Sequence, residues 1–118
     1  MADKFIAALQ RSNQIDITVT GRNTGRQITL PVWFVTDGGK LYLVPVRGSD
    51  SDWYKNVLAT AQLKLTADGD SITAPETAIT DPRRVQTIVD KFRDRYGADQ
   101  VAAYYPKTDV ALEVSLPG

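Results

Sequence analysis

Three glycine-centred turns divide the first half and middle of the chain, and the segments between them set the fold. The turns are Gly21-Arg22-Asn23-Thr24-Gly25-Arg26, Asp37-Gly38-Gly39 and Ala67-Asp68-Gly69-Asp70. Each combines Gly with Asn or Asp, residues that tolerate φ > 0 and close β-hairpins. Ahead of the first turn, Ile15, Ile17 and Val19 alternate with Asp16, Thr18 and Thr20. That period of two describes a strand with one buried face. Further strands are expected over 27–36, 40–46, around Leu63 and Leu65, and over 71–80. A last one places Val110, Leu112 and Val114 opposite Ala111, Glu113 and Ser115. Pro31 and Pro45 mark edges, bulges or bends, because proline cannot donate to a ladder.

Helical spacing appears in four places. Phe5, Ile6, Ala8 and Leu9 form one stripe within 2–11, and a short helix is expected over 51–60. In the clearest helix Asp81 is placed to cap, Pro82 stands first, and Val85, Ile88, Val89, Phe92 and Tyr96 share a face up to Gly97. A last helix over 98–105 stops before Pro106. About six largely antiparallel strands with such helices predict a mainly β, α+β barrel or roll with the helices outside. At 118 residues, one domain over 1–118 is expected.

The chain has no cysteine and no histidine. Disulfides, thiolate nucleophiles, Ser–His–Asp arrangements and the usual metal ligands are thereby excluded, and no metal site is expected. Redox or transfer chemistry would have to be carried by a cofactor. Lys plus Arg equals Asp plus Glu at 14 each, so no basic field argues for a nucleic-acid partner. No apolar run has membrane-spanning length, and residues 1–10 show no signal-peptide pattern. A cytoplasmic protein without a membrane partner is expected.

Arg47-Gly48-Ser49 precedes the 51–60 helix. Free backbone N–H groups with a guanidinium make an anion site suited to a phosphate, and Gly48 permits close approach. Arg22 and Arg26 on the neighbouring turn can add charge. The alternative is that Asp50 and Asp52 satisfy that helix end and the arginines form a solvated rim.

Four pieces occur in a fixed order: the Gly21-Arg22-x-Thr24-Gly25-Arg26 turn, Pro31-x-Trp33-Phe34, the Arg47-Gly48 loop, and Trp53-Tyr54-x-Asn56. In order and spacing they resemble the deazaflavin (F-420)-dependent nitroreductase family of the flavin/deazaflavin oxidoreductases. The resemblance covers most of the chain and implies a split β-barrel. It implies hydride transfer from reduced coenzyme F-420 to a quinone, nitro or conjugated acceptor. FMN, with a single phosphate, is the alternative cofactor. The cofactor is expected against the loop and helix after the third strand, with Arg22, Arg26, Pro31, Trp33, Val46, Arg47, Gly48, Ser49, Trp53 and Asn56 as its binding residues. In these relatives, tyrosines near the corresponding helix close over the substrate side of the ring. Tyr104 or Tyr105 is therefore the candidate proton or hydrogen-bond donor to the acceptor, and consecutive residues cannot both be core. A homodimer is expected because such barrels often pair. The competing reading is a non-catalytic barrel that holds a fatty acid or other apolar ligand.

Overall fold

The structure, a computed structural model, describes residues 2–60 and 62–116. Among these residues four helices, α1 (Ala2–Gln10), α2 (Asp52–Thr60), α3 (Pro82–Tyr96) and α4 (Ala98–Tyr104), accompany eight strands. The strands are β1 (Ile15–Thr20), β2 (Gln27–Val32), β3 (Val35–Asp37), β4 (Lys40–Leu43), β5 (Leu63–Ala67), β6 (Asp70–Ala74), β7 (Glu76–Ile79) and β8 (Ala111–Ser115). They form two four-stranded sheets, ordered β2-β1-β5-β6 and β3-β4-β8-β7. Every pairing within them is antiparallel. Among the described residues no helix is long and apolar enough to cross a membrane.

Eight strands stand where about six were expected, because two of the expected strands are each broken at a corner. The segment 27–36 passes from the first sheet to the second at Trp33–Phe34, and 71–80 does so at Pro75. Pro75 has no N–H to offer a ladder. At the other corner a side chain replaces the ladder. The Phe34 N–H donates to the Tyr96 hydroxyl (3.3 Å), whose proton is shared between the carbonyls of Phe34 (3.0 Å) and Asn13 (2.5 Å). The third strand also ends early, at Leu43, ahead of Pro45.

The period of two in β1 matches its burial: Ile15, Ile17 and Val19 are buried, Asp16 exposed. These side chains meet Leu41, Leu43, Leu63, Leu65, Leu112, Val114 and Phe34 between the sheets. Phe5, Ala8 and Leu9 of α1 join that core. A second apolar layer lies between the second sheet and the helices α3 and α4. There Val35, Ile79 and Ala111 meet Val85, Ile88, Val89, Phe92 and Val101. Ala111 was expected on the outward side of the last strand; it is buried because that side carries the helical layer. The α3 start forms as read, the Asp81 carboxylate accepting from the Arg84 N–H at 3.1 Å with Pro82 at the first position.

Candidate functional site

The site arises from an unfilled stretch of sheet. In antiparallel pairs, directly opposed residues face the same side. Ile28, Leu30 and Val32 of β2 oppose Val19, Ile17 and Ile15 of β1. The three β1 residues are at most 2% exposed, so β2 turns the same three positions towards the barrel interior. Yet Ile28 is 43% exposed, Leu30 is half-buried, and only Val32 is covered. The edge strand therefore extends beyond what the barrel fills, and its apolar inward face becomes the floor of a groove of about 580 Å³.

Pro31, on the other face of β2, also lines the groove, and the walls come from three other places. Val46, Arg47, Asp50 and Ser51 contribute the loop after β4; Asp52, Trp53 and Asn56 contribute α2; Tyr104 closes the end of α4. Trp53 is 8% exposed and belongs to the barrel core as well as the wall. Arg47 is exposed, and among the described residues its guanidinium has no hydrogen-bond or ion-pair partner. Its backbone N–H donates to the buried Ser51 hydroxyl at 2.8 Å, which fixes the start of the loop.

The turn after Arg47 is organised by a residue that local sequence did not single out. Asp109 accepts from the Ser49 N–H (2.9 Å) and from the Ser49 hydroxyl (2.6 Å). Gly48 has φ +56°, and a Cβ on it would run into Asp109 Oδ1. Glycine there thus leaves room for the Asp109 carboxylate, which any Cβ would push aside, and suits the positive φ. Lys107 donates to Asp50 at 2.9 Å and lies 3.8 Å from Asp109. Partial burial works against the Asp109 charge, but the two Ser49 bonds and Lys107 outweigh it and hold the carboxyl below its ordinary range. Hydrogen bonding to Asp50 raises Lys107, which remains a cation. The expected backbone donors of the 47–49 turn are therefore already satisfied at Ser49, and cationic side chains are left to meet an anion.

Arg22 lies beside the groove through Asn56. That amide is 4% exposed, and its oxygen accepts from the Arg22 N–H (3.1 Å) and Nη1 (2.7 Å). The same guanidinium reaches the Asp52 carbonyl at 3.4 Å and lies 3.8 Å from its carboxylate. Arg26 is exposed outside the groove.

Trp33 is not part of the lining. It stacks on Tyr96 at 4.2 Å and 10°, and Tyr104 packs on it at 4.5 Å, so it backs the groove through Tyr104. Tyr104, the last residue of α4, is 39% exposed, and Tyr105, the extended residue that follows it, is 5% exposed. Tyr105 sits edge-on to Phe92 at 5.8 Å, and burial, with Tyr104 and Tyr96 adding to it, pushes its hydroxyl far above the ordinary range. Of the twelve candidates read from the sequence, the groove gathers Pro31, Val46, Arg47, Trp53, Asn56 and Tyr104. Arg22 is bonded to the lining residue Asn56 and Trp33 packs on the lining residue Tyr104, but neither is part of the lining, nor are Arg26, Gly48, Ser49 and Tyr105. Ile28, Leu30 and Val32 were not among the candidates. Their place in the β1–β2 register was the available signal, but their exposure depends on how far the barrel closes.

Residues 5–113 match the model of a family of uncharacterized proteins conserved in bacteria, DUF2255. The chain belongs to the DUF2255 family. No curated protein matches it by sequence. Among solved structures, this DUF2255 chain is similar to an F420-H2 dependent reductase at 18% identity and TM-score 0.66, covering 86% of this chain and 93% of that one. It is similar to HutZ, the heme storage protein from Vibrio cholerae, at 12% identity and TM-score 0.73, covering 98% and 89%. A third relative, described as a domain-swapped dimer, shares 16% identity at TM-score 0.65 and covers 95% and 94%. At such identities the likeness is one of fold, and that fold is the split β-barrel. The resemblance to deazaflavin reductases read from the sequence is matched here in fold alone.

Proposed function

We propose that this DUF2255 protein is an oxidoreductase that holds a flavin-type cofactor, F-420 first and FMN as the alternative, in the groove over β2. The observation that carries the reading is the uncovered inward face of Ile28, Leu30 and Val32, walled by Trp53 and Tyr104. An apolar shelf with an aromatic wall suits a planar ring system, and a few polar groups fix its orientation. The unpaired Arg47 suits the negative charge that such cofactors carry. The residues thus fit the group, except that the Gly48–Ser49 turn offers it less than its sequence suggests. When bound, the cofactor supplies the hydride chemistry.

The chain's own part is positioning and exclusion of water. The floor and Trp53 would hold one ring face, leaving the other open to a quinone, nitro or conjugated acceptor. Tyr104, which lines the groove and is 39% exposed, would meet that acceptor; Tyr105 is spent in the core beneath the helices. The likeness to a domain-swapped dimer supports a homodimer as the working assembly. The apolar floor and Arg47 also suit a fatty acid held without chemistry; the aromatic wall of Trp53 and Tyr104 favours the planar ring of the cofactor.

The test is oxidation of reduced F-420, or of reduced FMN, by a quinone or nitro acceptor. Catalysed turnover that falls at least about tenfold in kcat/KM on Arg47→Ala supports the reading. Absence of turnover with either cofactor, with lipid copurifying instead, would favour the apolar-ligand protein.

A further inference from the structure

We propose that Asn56 is a positioning residue for anion recognition, and that it acts by fixing Arg22 as a second receiver, in addition to Arg47, of the ligand's anionic group. The inference rests on the flavin-type reading of the groove. Two observations carry it. First, the backbone route is closed at Ser49, whose N–H and hydroxyl both bind the Asp109 carboxylate. A phosphate there would have to displace a charge-assisted pair already formed within the chain. Second, Asn56 spends its buried carbonyl oxygen on Arg22, taking the backbone N–H at 3.1 Å and Nη1 at 2.7 Å.

A lone arginine loses side-chain entropy when it orders around a ligand. Arg22 is held at both its backbone and its tip, so much of that cost is met in the free protein. Among the described residues the guanidinium makes two hydrogen bonds, to Asn56 and to the Asp52 carbonyl, and both use Nη1. Among the five N–H donors of the fork, those on Nε and Nη2 can take up a compact anion, with the exposed Asp52 carboxylate as the weak occupant to be displaced. The ligand would then lie with its phosphate at the 21–26 turn and its ring on the β2 floor towards Tyr104.

The experiment measures affinities for FMN and riboflavin, and for F-420 and its phosphate-free chromophore, in the wild-type protein and three variants. The readout is the ratio of affinities with and without phosphate. Arg22→Gln should lower that ratio at least about tenfold while sparing the phosphate-free ligand. Asn56→Ala should lower it in the same direction, and Asn56→Ala added to Arg22→Gln should lower it no further, because one residue acts through the other. Arg22→Gln alters an exposed side chain, so it tests the claim even if Asn56→Ala does not fold. An unchanged ratio in Arg22→Gln overturns the proposal. So does an Asn56 effect that persists without Arg22, or one that weakens both ligands alike. Failure of all four ligands to bind the wild-type protein overturns the flavin-type reading itself.

Discussion

The residue with the widest reach in the site is Asp109. It is separated by 60 positions from Ser49, whose N–H and hydroxyl it binds, and it occupies the space that a Cβ at position 48 would take. Nothing in its neighbourhood marks it, because a carboxylate before an apolar strand is an ordinary loop residue. By contrast Arg47, Trp53 and Asn56 were legible, since they sit in compact motifs whose spacing survives folding. The pH behaviour of Asp109 follows from its lowered carboxyl. A group that titrates lower in the folded state adds stability above its unfolded value and loses it as pH falls through the folded value. Asp109→Asn should therefore lower the melting temperature at pH 6. The gap to wild type should narrow as the pH falls below the ordinary carboxylate range and the wild-type carboxylate is itself protonated. Thermal melts of both proteins across that range check this; a gap that is independent of pH would remove the charge from the explanation.

At the scale of elements, strands and helices followed from local pattern where one face alone is buried. The β1 alternation and the Asp81–Pro82 start of α3 are such cases. The corner at Trp33–Phe34 was not legible, because the group that satisfies its backbone is Tyr96, 62 residues from Phe34. Tyr96→Phe keeps the ring stacked on Trp33 but leaves the Phe34 N–H without its hydroxyl acceptor. A part-buried donor so orphaned costs about 1–3 kcal/mol. Chemical denaturation should show that loss with an unchanged m-value. A variant as stable as wild type would mean that the corner is held by packing alone. Since Trp33 also backs Tyr104, the same corner supports one wall of the groove.

For the whole molecule, the split of the barrel is both the fold and the site. Two sheets share the bent segments 27–37 and 70–79, and their interior is filled except along the edge strand β2. Hydrophobic patterning marked Ile28, Leu30 and Val32 as a strand face, but whether that face is covered depends on barrel closure, which no local window contains. The central claim is that this uncovered face is where a flavin-type ring lies. Titrating the protein with F-420, FMN and FAD while following tryptophan fluorescence tests it most directly, with Ile28→Glu alongside as a variant that places charge on an exposed part of the floor. The account predicts saturable quenching by F-420 or FMN at micromolar concentration in the wild type, weakened at least about tenfold in Ile28→Glu. No quenching by any of the three, or binding that Ile28→Glu leaves untouched, would contradict it.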